Sequence, residues 1–589
     1  MARVNKFDQD EDLNAQIDKG QILKAKQYIM THKKEFVITL IIMLVATVAS
    51  MSTPLLLSIA MDDYIPNGNV QGLLILGGIL LITFFIAYFS AQIRMKLMNR
   101  VGQGIIFDLR RDLFSHLQKL PYTYFDTRPH GKILVRVVNY INSLSDMFSN
   151  GLVNTVMEVV SLVIILIFMF IVDVRLTLVS LCGLPLLVAG IWMIKSRHRR
   201  AWQDYSNKNS NLNAYLHESI SGVRVTQAFV REKRNAKIFR KLSLETRSSF
   251  MRAKVIEMLV FPMAMVISEA TVMVVYYLGA MSLEAGMQIG TIVAMVSYVY
   301  RFWGPINNMS NIYNTLMTNA AYLERIFETM EEDVTIHDVP NAGTLANVQG
   351  GVEFKNVSFA YEPGVPILED ISFSVKPGQR VALVGATGAG KTTIVNLLSR
   401  YYDVTGGNIY IDGTDIGQIT VKSLRGSLGY MLQDSFVFSG TIMENIRYGK
   451  LDATDDEVIE AAKMSLAHEF IAVLPNGYHT HVSERGSTLS AGQRQLISLA
   501  RAMLRNPSIL ILDEATSSID TETEQKLMRG IEKLLRGRTS FLIAHRLSTI
   551  KNADCIMVIG DRGILEQGNH EELMALRGKY YDLCKTASR

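Results

Sequence analysis

Six runs of mostly apolar residues, at roughly 36–58, 71–94, 152–172, 176–194, 255–280 and 289–311, dominate the first half of the chain. A helix needs about 20 such residues to cross the hydrocarbon of a bilayer. Each run is long enough, so the pattern predicts six membrane-spanning helices. The third and fourth are separated only by "VDVR", which reads as the turn of a helical hairpin. Two stretches of about 60 polar residues with helical patterning follow the second and fourth runs, and they are rich in basic side chains. These include Lys96, Arg100, Arg110, Arg111, Lys119 and Arg128, then Arg197, Arg199, Arg200, Arg231 and Lys233. The opposite connections, "MDDYIPNGNV", "VDVR" and "MSLEAGMQIG", carry a single arginine. This asymmetry puts both termini and both long loops on the cytoplasmic side of the cell membrane.

Composition bounds the rest. The chain has 589 residues, 49% hydrophobic and 20% charged, with a net charge of +5 that gives no support for nucleic-acid binding. Cys182, Cys555 and Cys584 are too far apart in sequence to suggest a metal motif or a disulfide framework, and free thiols are expected. The first 35 residues are polar and of mixed charge, so no cleavable signal peptide is expected there.

Polar residues inside the runs are costly and therefore informative. Glu269 lies near the middle of the fifth run and Arg301 near the middle of the sixth. They read either as an ion pair that fixes helix packing or as part of a substrate cavity in which Glu269 attracts a cation. Glu158, near the cytoplasmic end of the third run, is expected in the polar interface. Met263, Met265, Met273, Tyr276, Tyr298, Phe302 and Trp303 are read mainly as lipid contact and packing, though a loose cavity would use some of them.

Beyond a polar linker at about 331–350, strands and helices alternate. "RVALVGATGAGKTTIVNLLSR" reads as a strand, a glycine-rich loop and a helix, with Gly385, Gly390, Lys391 and Thr392 in the GxxxxGK[ST] pattern. Glycines let backbone N–H groups curl around phosphate, and the helix N-terminus adds positive potential. Lys391 would reach the β- and γ-phosphates and Thr392 would hold Mg²⁺. Further on, "ILILDEATSSID" runs a buried-looking strand into Asp513 and Glu514. Unpaired, such carboxylates are expensive to bury. Facing Mg²⁺-ATP, Asp513 would sit beside the metal and Glu514 would orient or deprotonate a water.

The set then becomes specific. "LSAGQ", Leu489, Ser490, Ala491, Gly492 and Gln493, resembles the signature motif of the ATP-binding cassette (ABC) family. "FAYEPG" places Tyr361 where that family stacks an aromatic on adenine. "YMLQD" supplies Gln433 of the Q-loop, "SERG" the X-loop, "SSID" the D-loop with Ser518 and Asp520, and "IAHR" the switch histidine His545. The resemblance extends the nucleotide site over Gly385, Ala386, Thr387, Gly388, Ala389, Gly390, Lys391, Thr392 and Thr393. It gives Mg²⁺ the ligands Thr392, Gln433 and Asp513, and catalysis Glu514, His545 and Gln433. In the first half, "LQKLPYTYFDTRPHGKILVRVVNYI" is similar to the first coupling loop of exporters, with a short helix near 121–128, and "ESISGVRVTQAFVRE" to the second.

The resemblance implies an α-helical six-span transmembrane domain with an N-terminal cytoplasmic helix (1–330), a linker (331–350) and an α/β P-loop ABC ATPase domain (351–589). Such a half-transporter needs a second half in the bilayer, because each ATP lies between one P-loop and the partner's signature motif. "GATGAGKTT" with "DEATSSID" resembles the catalytically complete subunit of Gram-positive heterodimeric multidrug exporters, which favours a heterodimer, while the intact Glu514 also suits a homodimer. Ala491 departs from the usual LSGGQ and does not decide between them. The leading expectation is ATP-driven efflux of small amphipathic, often cationic, drugs or lipids. A homodimeric lipid flippase is the alternative within transport, and a non-transporting membrane ATPase or regulator the alternative outside it.

Overall fold

A computed structural model describes residues 19–284, 286–431, 435–483, 486–513, 521–543 and 550–587. The chain divides into two compact units. One runs up to Gln118 and again over Gly131–Glu331; the other contains Lys119–His130 and everything from Glu332 onward.

In the first unit, α1 (Lys19–Thr31) precedes α2 (Lys33–Ile59), which carries the first apolar run. The second run begins α3 (Val70–Leu117), and the polar stretch after it continues the same helix for several turns. Likewise α5 (Leu152–Val172) and α6 (Val174–Leu181) form the expected hairpin, and α7 (Gly183–Ser221) carries the fourth run far past its apolar end. The turn is set at Asp173, extended at φ −160°, whose carboxylate accepts the Leu176 N–H at 2.8 Å as an N-cap. After α8 (Val223–Ala228), α9 (Glu232–Met258) runs beside α7, and α10 (Val260–Leu283) and α11 (Ile289–Met330) complete the unit.

Among the described residues, five helical stretches are long and apolar enough to cross a membrane: Lys33–Tyr64, Val70–Leu117, Asn154–Val172, Val174–Ser221 and Glu232–Leu283. The sixth run is helical as expected, but Arg301, Asn307 and Asn308 make α11 more polar than the other five. The packed centre of the bundle uses Ile165, Met169, Leu187, Tyr298, Phe302 and Trp303. Gly183 admits a close helix crossing, since a Cβ there would lie 2.8 Å from Thr271 Oγ1 and 3.0 Å from the Trp303 ring. At the other end of α11, Asp62, on a π-helical turn continuing α2, accepts the Gly290 N–H at 2.6 Å. That contact satisfies one of the orphan donors at the start of α11 and ties the first span to the last.

The second unit is built on two sheets. β1 (Val352–Glu362) pairs antiparallel with β2 (Val365–Val375) and with β4 (Gly406–Ile411). Phe354 and Phe373 stack across the β1–β2 pair at 4.4 Å. The other sheet has the order β9-β8-β3-β7-β6-β5, formed by β3 (Arg380–Val384), β5 (Leu428–Met431), β6 (Ile509–Asp513), β7 (Thr539–Ile543), β8 (Cys555–Gly560) and β9 (Gly563–Gly568). All neighbours from β8 to β5 are parallel, and only the β8–β9 pair is antiparallel. A parallel sheet covered on both faces explains the unbroken apolar runs "ILIL" and "FLI". Ile509, Leu510, Ile511 and Phe541 are fully buried. The linker ends on Asp412, whose carboxylate accepts the N–H groups of Gln349, Gly350 and Gly351.

Candidate functional site

Because β3, β7, β6 and β5 run parallel, their carboxyl ends lie along one edge, where ligands of open α/β sheets bind. The glycine-rich loop leaves β3 there and enters α12 (Lys391–Leu398). The backbone of this loop is one that side chains would obstruct. Gly385 has φ +150°, and a Cβ would stand 2.2 Å from the Ile559 carbonyl oxygen; Gly390, the N-cap of α12, has φ +104°. Lys391 is buried and its ammonium donates to Gly385 O at 2.8 Å and Ala386 O at 3.0 Å, which holds the charge across the loop. Thr392 is exposed at the start of α12, whereas Thr393 is buried and shares a 3.1 Å hydrogen bond with the Tyr361 hydroxyl.

Asp513 ends β6 on the same edge, paired in register with Ile543 of β7. β5 stops at Met431, two residues before Gln433, and β7 stops two residues before His545. The strands that lead into Gln433, Glu514 and His545 therefore all end on the edge that carries the glycine-rich loop. Gln433, Glu514, Ser518, Asp520 and His545 themselves, with Glu484 and Arg485 of the X-loop, lie outside the described residues. Fit to a magnesium nucleotide rests on the cradle: glycine backbone, a helix N-terminus, an exposed threonine and a strand-end carboxylate. Among the described residues no group of three or more His, Cys, Asp or Glu could hold a metal by itself.

The signature sequence opens α13 (Ala491–Arg505). Ser490 is its N-cap: its hydroxyl accepts the Gln493 N–H at 3.2 Å, and Gln493 Oε1 accepts the Ser490 N–H at 2.9 Å. This is a capping box, legible in the sequence as Ser-x-x-Gln before an apolar run. Ala491 follows the cap as the first residue of the helix. Leu489 is buried, Gly492 is buried and Ser490 is exposed.

Two contacts were not foreseen. Arg501, on the buried side of α13, donates to Phe436 O and Asn445 Oδ1, each at 2.6 Å, and burial lowers its pKa to about 10. It thus ties the signature helix to the segment after the Q-loop; an arginine in the otherwise apolar run "LISLARAM" was the sequence sign. The second involves α4 (Tyr122–Thr127), whose position agrees with the expected helix at 121–128. The Tyr402 hydroxyl donates to Asp126 Oδ2 at 2.6 Å, and Tyr122 packs on Tyr401 at 5.6 Å. The Tyr402 ring in turn meets Tyr361 edge-on at 5.1 Å. Burial first, and the Asp126 bond second, push the Tyr402 phenol well above its usual pKa. So α4 is linked through a single intervening ring to Tyr361, the aromatic that the family resemblance would place on adenine.

In the membrane unit, Glu269 and Arg301 bond to different partners. Glu269 is exposed and accepts from the Tyr300 hydroxyl at 3.0 Å, while Arg301 donates to Ser50 O at 2.9 Å and Ser50 Oγ at 3.1 Å. Tyr300 and Arg301 are consecutive on α11 and point about 100° apart, so one reaches α10 and the other α2. No ion pair joins Glu269 to Arg301 among the described residues. Tyr298, Phe302 and Trp303 are core; Met265, Met273 and Tyr276 are exposed.

The comparisons agree with this architecture. A family model described as the ABC transporter transmembrane region matches residues 36–306, and one described as ABC transporter matches residues 368–517. The chain is 37% identical over 572 residues, covering 96% of itself and 99% of the relative, to the putative multidrug export ATP-binding/permease protein YgaD of Bacillus subtilis. It is 39% identical to a fatty acid ABC transporter ATP-binding/permease protein of Mycobacterium tuberculosis, covering 83% of this chain and 78% of that one. The structure of a bacterial Atm1-family ABC exporter with ATP bound superposes with a TM-score of 0.78 at 29% identity, covering 95% of this chain and 98% of that one. The chain belongs to the ABC transporter family. It has the fused membrane and ATPase domains of an exporter, binds ATP and couples its hydrolysis to transport across a membrane as part of a dimer.

Proposed function

We propose that this chain is the catalytically complete half of a heterodimeric exporter of small amphipathic compounds, drugs or lipids, in the cell membrane, with its ATPase domain and both termini in the cytoplasm. ATP lies on the loop Gly385–Thr393 with adenine against Tyr361, and Lys391 neutralises the β- and γ-phosphates. Thr392, Asp513 and Gln433 hold Mg²⁺, which supplies charge neutralisation at the phosphates. Glu514 orients or deprotonates the attacking water, with His545 and Gln433 beside the γ-phosphate. Ser490 and Gly492 serve the nucleotide bound to the other half.

The observation that carries the need for a second half is the unequal state of the two coupling helices. α4 is packed against aromatic residues of its own ATPase unit. The second coupling segment instead presents an exposed apolar surface: Val223, Val225, Phe229 and Val230 are 45%, 62%, 71% and 77% exposed. Val230 also holds φ +52°, a costly conformation for a β-branched residue. An ATPase domain of the other half is the occupant that the family's dimeric action supplies. Multidrug and fatty acid export by relatives supports the amphipathic substrate class.

The test is Mg²⁺-ATPase activity of the purified chain alone, beside its Glu514→Gln variant. Negligible turnover from folded, ATP-binding protein, restored by a second half-transporter, is the result expected. Robust turnover by the chain alone, lost in the variant, would establish a homodimer instead.

A further inference from the structure

A cavity of about 460 Å³ opens between α2, α3 and α5, with α2 as its back wall. Its lining is neither plain hydrocarbon nor plain polar surface. Met43, Met51 and Met157 contribute apolar wall, while Arg94 of α3 and Glu158 of α5 contribute one charge of each sign.

Opposite charges that share a cavity at a membrane interface ordinarily gain by pairing, because the local dielectric is low. Among the described residues, no ion pair joins Arg94 to Glu158. Each is held by an amide instead: Arg94 donates to Asn154 Oδ1 at 3.4 Å, and Glu158 accepts from Asn308 Nδ2 at 3.1 Å. Asn154 itself lines the cavity, and Asn308 bonds to Glu158 from α11. Glu158, expected in the polar interface, is thus half-buried and turned toward a cavity. Ionisable side chains that line a methionine-walled cavity of a membrane unit and do not pair with one another point to a function.

We propose that this cavity is a head-group site for a zwitterionic amphiphile, with the anionic group on Arg94 and Asn154, the cationic group beside Glu158, and the tail along the methionines. Arg94 ends the apolar part of α3 and Glu158 lies in the second turn of α5, so the site faces the cytoplasm-proximal leaflet in the orientation proposed above. Substrate would enter from that leaflet. The inference rests on the export reading only for this direction.

Binding is tested without ATP, on the full-length chain in non-ionic detergent micelles. The probes share one hydrocarbon chain length: lysophosphatidylcholine (zwitterionic), lysophosphatidylglycerol (one negative charge) and the matching alkyltrimethylammonium (one positive charge). Wild type is expected to prefer the zwitterion over either singly charged probe by about tenfold, the effect of one well-placed charge contact. Arg94→Gln should bind the cation as well as the zwitterion; Glu158→Gln should bind the anion as well as the zwitterion. Equal affinity of wild type for all three probes, or a preference that survives both substitutions, overturns the proposal. Should Arg94→Gln fail to fold, Asn154→Ala keeps the arginine but frees it to pair with Glu158, and it should lose the preference too.

A second arm separates the sources of the head group. Retention of phosphatidylethanolamine on protein extracted from mixed bilayers supports a bilayer lipid. Binding of the soluble zwitterion with no retained lipid supports a membrane-soluble compound. Export failing while probe binding persists would refute the transport direction and leave the site standing.

Discussion

Removing one oxygen from Tyr402 isolates the contact between α4 and the ATPase unit. In Tyr402→Phe the ring stays beside Phe359 and Tyr361, at 5.6 and 5.1 Å, and only the 2.6 Å bond to Asp126 is lost. A hydrogen bond to a charged acceptor contributes about 1.5–3 kcal/mol. Tyr402 is 6% exposed, but Asp126 is exposed and regains water, so the low end, about 1.5 kcal/mol, applies. Hydrogen exchange reads this directly, because local opening of a segment reports its own free energy. Amides of Tyr122–Thr127 should exchange roughly tenfold faster in Tyr402→Phe, while those of β3 and β6 keep their protection. Asp126→Asn should reproduce the effect, and the double variant should add little to either. Unchanged exchange across α4 would show that ring packing alone seats the helix and that the hydrogen bond carries no coupling. Equal acceleration throughout the ATPase unit would refute the local reading in another way.

The remaining predictions concern neighbouring elements. Because the folded phenol of Tyr402 keeps its proton above the usual value of 10, its stabilisation is complete below about pH 10 and is lost as pH rises further; α4 amides corrected for intrinsic exchange should lose protection in that range in wild type and not in Tyr402→Phe. Ser490→Ala removes the N-cap of α13 and should cost about 1 kcal/mol, visible as a lower denaturation midpoint of the ATPase unit. Gly385→Ala drives a methyl against the Ile559 carbonyl and should cost about 1–3 kcal/mol or more and abolish ATP binding, as measured with a fluorescent nucleotide. Lys391→Ala should weaken ATP by roughly tenfold to a hundredfold, the loss of one charge-assisted contact, without changing the fold; unaltered affinity would remove Lys391 from the site.

Much of this was legible because the signals are local. Apolar run length locates helices, since lipid leaves the backbone no other partner, and the loop from Gly385 to Thr392 is a local pattern whose backbone demands glycine. Even the capping box at Ser490 and Gln493 could be read from four adjacent residues. The polar stretches after the second and fourth runs read as loops with helical patterning. They are continuations of α3 and α7, because a helix need not end where its lipid-facing composition does.

Sequence alone thus determined the order of the elements, the ATP-binding character of the second half and the membrane character of the first. Tertiary structure decided which distant groups meet. Asp126 and Tyr402 stand 276 positions apart, Arg301 and Ser50 stand 251, and neither pair has a spacing that a periodicity could reveal. Glu269 and Arg301 look like partners along the chain, yet the helical rotation between Tyr300 and Arg301 sends them to different neighbours. A charge in a low-dielectric environment takes whichever partner packing brings within reach, and only the folded chain fixes that choice.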